Sequence, residues 1–117
     1  MEVVWNMDEG GKWYSFLRTD LKHERFEHAA GVYIIWHEGK NRRTVRVGHG
    51  DIRRWIGLHR HNEKIIAQSV HGRLKVTWAE IPRSSWDGVE KYLEEKLEPL
   101  VQPKRPDVKP IRVNLPW

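Results

Sequence analysis

The side chains best suited to chemistry lie in the middle of the chain, where arginines and histidines interrupt an apolar helical pattern. A helix that starts at Ile52 turns by about 100° per residue. Arg53 and Arg60 then fall together on one flank of this predicted helix. Two guanidinium groups placed this way either hold phosphates or keep the helix soluble. His59 falls on the apolar stripe, which favours a buried, oriented ring over a metal ligand. His59 and His61 face different ways, so they do not form an i, i+4 metal-binding pair.

Three further residues are chemical candidates in predicted strands and turns. His49 precedes the helix and is either a proton shuttle near neutral pH or a solvent-exposed turn residue. Arg46 alternates with two valines, as an exposed strand arginine does. Tyr33 lies in an apolar strand, where a tyrosine is usually a core residue with a hydrogen-bonded hydroxyl.

The composition limits which chemistry is available. Cysteine is absent, which excludes disulfides, thiolate metal sites and cysteine nucleophiles. Twenty-one basic and 16 acidic residues leave a net charge of +5, which favours polyanionic partners such as nucleic acid. A length of 117 residues, 38% hydrophobic and 32% charged, predicts one globular domain. No segment reads as a signal peptide or a membrane span, so we expect a cytoplasmic protein with no membrane partner.

Alternating apolar residues predict a hairpin that carries several of these candidates. Residues 31–39 have two apolar alternating sets, so we expect a central strand covered on both faces. The polar stretch 38–43 connects it to a second strand over 44–48. Residues 48–51 then read as a turn, in which Asp51 is placed to cap the following helix.

The rest of the chain supplies two helices and a third strand. The first helix is predicted over 52–68, and the third strand over 73–81. A second helix follows a Ser85 cap and ends near Pro99. Residues 99–117 are expected to be extended and packed, because apolar side chains alternate near the end, at Ile111, Val113, Leu115 and Trp117. This order predicts an α+β fold with a small sheet.

Four short segments occur in a recognisable order: GVY at 31–33, RVG at 46–48, DIRRWIGLHR at 51–60 and VEKYLEEKLEP at 89–99. Their combination resembles the GIY-YIG nuclease family. The resemblance implies a small mixed sheet with an opening hairpin, flanked by helices. It covers about residues 26–103, the motif-bearing core of a single domain over 1–117. Residues 1–25 form an N-terminal extension, and residues 104–117 form an extended C-terminal tail.

The family's chemistry is metal-assisted hydrolysis of phosphodiester bonds. The resemblance implies that tyrosines frame the attacking water, that a helical arginine neutralises the phosphate, and that a glutamate on a later helix holds one divalent cation, usually magnesium. Such attack needs a polarised water, a Lewis acid for the leaving oxygen and a fixed positive charge.

The two strand motifs match the family unevenly. Tyr33 matches the tyrosine of the first motif, and Gly48 matches the glycine of the second. Arg46 stands where the second motif has its tyrosine. On the first helix Trp55 takes the place of the family's arginine, while the histidine position is kept as His59. The missing guanidinium can come from three arginines: Arg46, Arg53 or Arg54.

The later helix offers four glutamates: Glu90, Glu94, Glu95 and Glu98. Glu90 lies closest to the apolar stripe and nine residues before Pro99, similar to the family's spacing, so we predict it as the magnesium ligand. Asn114 is the nearby candidate for the family's closing asparagine, at a much longer spacing. The predicted catalytic residues are Tyr33, Arg46, Arg53 and Glu90. The predicted nucleic-acid contacts are Arg53, Arg54, Arg60, His49 and His59.

Three functions are compatible with these residues. The first is a magnesium-dependent endonuclease acting on DNA. The second is a nucleic-acid-binding domain of the same fold that has lost catalysis, because two of the four expected side chains are changed. The third is a protein-interaction module that uses exposed members of the seven tryptophans.

Overall fold

A computed structural model describes residues 1–103 and 107–117. The strands are β1 (Tyr14–Ser15), β2 (Ala30–His37), β3 (Arg43–Asp51) and β4 (Leu74–Ala79), and the helices are α1 (Ile52–His59), α2 (Glu63–Ala67) and α3 (Trp86–Leu97). Within the described residues the four strands form one sheet in the order β1-β4-β2-β3. The predicted α+β fold with an opening hairpin is confirmed. All described strand pairings are antiparallel, whereas the resemblance implied a mixed sheet.

Two hydrophobic clusters lie on the two faces of the sheet. Helices α1 and α2 cover the face that carries Tyr33 and Ile35, and α3 covers the face that carries Val32 and Ile34. All four side chains are buried. The prediction of a central strand with both faces covered is therefore confirmed, since β2 lies between β4 and β3. No helix in the described part of the chain is long and apolar enough to cross a bilayer.

Strand β3 extends further than its pattern predicted. Residues 48–51 continue the pairing with β2 instead of forming a turn, and Gly50 lies opposite Gly31. The absence of a side chain at Gly50 lets Trp55 pack against this end of the hairpin: a Cβ on Gly50 would lie 2.5 Å from the Trp55 Nε1. The predicted cap is confirmed, because the Asp51 carboxylate accepts the backbone N–H of Arg54 at 2.9 Å.

The prediction of a single helix over 52–68 is wrong. Helix α1 ends at His59, and α2 starts at Glu63 after a turn. The Asn62 side chain accepts the backbone N–H groups of Lys64 and Ile65, so it starts a new helix at a point where the apolar pattern continues unbroken.

The chain after α3 covers the outer edge of β3. Helix α3 ends at Leu97, and Glu98 caps it in the left-handed conformation, just before Pro99. The backbone N–H of Val101 then donates to the carbonyl of Val45 at 2.8 Å. This contact protects an edge strand that would otherwise expose unpaired backbone groups.

The N-terminal extension and the tail also pack together. The Asn114 side chain accepts the backbone N–H of Val3 at 2.7 Å and donates to its carbonyl at 3.0 Å. Trp5 and Phe16 of the extension are buried in the two clusters. Of the tail predicted over 104–117, residues 104–106 lie outside the described residues.

Candidate functional site

A buried tyrosine and a buried histidine are joined on the α1 side of the sheet. The Tyr33 hydroxyl from β2 lies 2.6 Å from Nε2 of His59, in the last turn of α1. The two residues are 2% and 4% exposed. Their pairing follows from the helical phase, which places His59 on the buried stripe as predicted. A phenol hydrogen-bonded to an imidazole is an arrangement that can pass a proton.

Gly48 makes room for this pair. It lies opposite Tyr33 in the hairpin, and a Cβ built on it would be 2.2 Å from the Tyr33 hydroxyl oxygen. The tyrosine ring therefore lies directly over the glycine. This contact gives a steric reason for a tyrosine in the first motif and a glycine in the second.

A second polar pair lies on the α3 side. His49 Nδ1 is 3.1 Å from Oε1 of Glu90, and its Nε2 is 3.7 Å from Oδ1 of Asp87. Glu90 is only 2% exposed, although it belongs to a helix rich in exposed charges. Helical phase and the spacing to Pro99 together selected Glu90 among the four glutamates. Its histidine partner is a contact across 41 residues that the sequence pattern did not reveal.

The two pairs lie on opposite faces of the sheet. Tyr33 pairs with Gly48, whereas Val32, which packs towards α3, pairs with His49. In β3, Gly48 therefore contacts Tyr33 on one face of the sheet, and the next residue, His49, contacts Glu90 on the other face. The backbone of this strand separates the two pairs.

Two predicted phosphate-binding arginines hold the N-terminal extension. Arg53 Nε donates to the carbonyl of Leu21 at 2.7 Å, and Arg60 Nε donates to the carbonyl of Phe16 at 2.8 Å. A second nitrogen of each guanidinium bonds another carbonyl of the extension. Burial lowers the pKa of Arg60, although Asp20 opposes the shift.

The other two arginines are placed differently. Arg46 lies two residues before Gly48 and so belongs to the same face as Tyr33; its guanidinium also donates to the carbonyl of Val101 at 3.1 Å. Arg54 is exposed, and its guanidinium lies 5.9 Å from the ring centroid of Trp55. A cation is therefore present beside Trp55, which stands where the resemblance implied an arginine.

Two carboxylates near His49 are the candidate ligands for a cation. Within residues 1–103 and 107–117 there is no group of three or more histidine, cysteine, aspartate or glutamate residues able to enclose a metal. Magnesium commonly takes one or two protein carboxylates and completes its shell with water and substrate phosphate oxygens. Glu90 and Asp87 are the carboxylates nearest to His49, at its Nδ1 and its Nε2; the Glu90 side chain is buried, whereas that of Asp87 is exposed.

No family model, curated protein or solved structure matches this chain.

Proposed function

We propose that this protein is a metal-dependent endonuclease of GIY-YIG type that hydrolyses DNA phosphodiester bonds in the cytoplasm. The proposal depends on one observation: the residues that match the motifs are held at two successive positions of β3, Tyr33 on one face of the sheet and Glu90 on the other. The Tyr33 hydroxyl lies over Gly48 and bonds His59 at 2.6 Å, and Glu90 bonds His49 at 3.1 Å.

Each side chain then has a defined role. The Tyr33 hydroxyl orients the attacking water, and His59 Nε2 receives the proton that the phenol passes on. Arg46 and Arg54 supply positive charge to the phosphate oxygens. Glu90 would hold magnesium, which would supply Lewis-acid stabilisation of the leaving oxygen. His49 orients the Glu90 carboxylate through its hydrogen bond.

A DNA-binding domain without catalysis is the second candidate. Two observations favour it: Tyr33 and His59 are at most 4% exposed, and Trp55 occupies the arginine position beside Gly50. In this case the basic surface binds the DNA backbone, and the tyrosine–histidine pair only stabilises the hairpin against α1.

Plasmid nicking separates the two candidates. We expect the wild-type protein to nick supercoiled plasmid in the presence of magnesium, and we expect the nicking to stop when the metal is chelated. Glu90→Gln should lower the nicking rate by about 100-fold or more, because it removes the charged metal ligand. Glu95→Gln, on the exposed face of the same helix, is the matched control and should nick like the wild type.

The outcomes have distinct meanings. Salt-sensitive DNA binding without nicking supports the non-catalytic domain. Nicking that survives in Glu90→Gln contradicts the assigned metal ligand. The absence of DNA binding in any salt contradicts both candidates.

Arg54 and Arg60 should differ in how they act on DNA binding. Arg54→Gln should reduce the slope of log K against log salt by about 1 and leave stability unchanged, because its exposed guanidinium contacts a phosphate. Arg60→Gln should leave that slope unchanged but lower the free energy of unfolding by about 2 kcal/mol, because two charged hydrogen bonds to the extension are lost. Salt-dependent binding titrations and urea unfolding measure these effects. The opposite pattern would assign the phosphate contact to Arg60.

A further inference from the structure

A basic cavity lies at the far end of the hairpin from Ala30 and Asp51. It has a volume of about 480 Å³ and opens between the β2–β3 loop and the 3₁₀ turn Gln68–His71. Its polar lining includes His37, His71, Lys40 and Arg43. None of the described residues that line it is acidic, so no lining carboxylate neutralises the positive charge of these basic groups.

His37 supplies a hydrogen-bond donor at the edge of the cavity. The residue is 4% exposed and belongs to the last position of β2. Its Nδ1 accepts the backbone N–H of Gly39 at 3.3 Å, so the neutral ring carries its proton on Nε2. This proton is the donor that the ring can offer to a ligand in the cavity that it lines.

The groups around His37 favour an anion. Burial lowers the pKa of His37, and the positive charges of His71 and Arg43 lower it further, against a weaker opposing backbone hydrogen bond. The two imidazole rings lie 5.3 Å apart. The neighbouring carboxylate, Glu38, lies 3.7 Å from the ammonium of Lys75, which offsets its charge.

The backbone holds the walls of the cavity in place. A Cβ on Gly39 would lie 2.0 Å from the carbonyl oxygen of His71, and a Cβ on Gly72 would lie 2.4 Å from the Gly39 nitrogen. Gly72 also has a φ of +153°, which favours glycine. The loop and the turn are thus in direct backbone contact, and the cavity is preformed.

We propose that this cavity binds a phosphate group, with His37, His71, Lys40 and Arg43 as its hydrogen-bond donors. His37 follows Tyr33 by four residues on the same face of β2, which places it about 13 Å further along the strand. The site would add a second substrate contact to the proposed endonuclease. It rests on that function only for the identity of the ligand as a DNA phosphate and not a free phosphate ion.

Titration with inorganic phosphate, followed by NMR of the histidine rings, tests the site. We expect saturable shifts of His37 and His71 and an upward movement of the His37 pKa, because a bound anion stabilises the protonated ring. Lys40→Gln and His71→Gln should each weaken phosphate binding about tenfold, the effect of losing one charge-assisted hydrogen bond. Lys12→Gln, an exposed lysine outside the cavity, is the matched control and should bind like the wild type.

A DNA oligonucleotide without terminal phosphates identifies the source of the phosphate. If it competes with inorganic phosphate for His37, the site takes a backbone phosphodiester; if only inorganic phosphate binds, the site takes the free ion. Both outcomes support the cavity as a phosphate site. Shifts that chloride reproduces at equal ionic strength, or that only zinc produces, would overturn it. Phosphate binding in a protein that never nicks plasmid contradicts the endonuclease alone, whereas nicking without phosphate binding contradicts this cavity alone.

Discussion

Replacing Gly31 with alanine is expected to lower the free energy of unfolding by about 3 kcal/mol or more, because the new methyl group overpacks the contact between the start of β2 and the end of β4. A Cβ at this position would lie 2.0 Å from the carbonyl oxygen of Ala79 and 2.8 Å from its carbonyl carbon. Both atoms belong to the backbone of β4. Neither can move without disturbing the pairing between β2 and β4, so no side-chain rotation relieves the contact.

Urea unfolding measures this effect, and Gly57→Ala is its control. Gly57 lies inside α1, and the nearest side-chain atom to its built Cβ is Cδ1 of Leu21 at 3.9 Å. Alanine there should stabilise the protein by about 0.5–1 kcal/mol through helix propensity. If Gly31→Ala unfolds at the wild-type urea concentration, the close approach of β2 and β4 at this point is incorrect.

Replacing Gly48 with alanine should damage the candidate site more than the fold. The built Cβ meets the Tyr33 hydroxyl oxygen at 2.2 Å and the ring carbon that bears it at 2.4 Å. These atoms are the end of a side chain, so the ring can shift away at a cost of about 1–3 kcal/mol. The shift breaks the hydrogen bond to His59, and we expect nicking to fall about 100-fold, the usual contribution of one acid–base group.

Tyr33→Phe is the companion variant, because it removes the hydroxyl and keeps most of the ring packing. We expect a similar fall in nicking with less loss of stability. The nitrogen chemical shift of His59 Nε2 should change in both variants, which reports the lost hydrogen bond independently of activity. Wild-type nicking by Tyr33→Phe would remove the tyrosine from the mechanism.

Local pattern was enough to predict β2, its two buried faces and the α+β class. Strand and helix periods act over a few residues, so they assign each side chain to a face without knowledge of its partner. The same reasoning selected Glu90 from four glutamates and placed His59 on a buried stripe. It failed at Asn62, whose side chain starts a new helix inside a continuous apolar pattern.

The tertiary structure decided which of these side chains meet. From the sequence, Arg53 and Arg60 on one helical flank were equally suited to binding phosphates or to keeping the helix soluble. In the structure both donate hydrogen bonds to backbone carbonyls of the N-terminal extension. Strand register put Tyr33 and His49 on opposite faces, and a shift of one residue would have reversed this arrangement. The cavity at His37 likewise depends on the approach of residues 68–71 to the hairpin loop. Short-range periodicity specifies the direction of a side chain, but its partner depends on how distant segments pack.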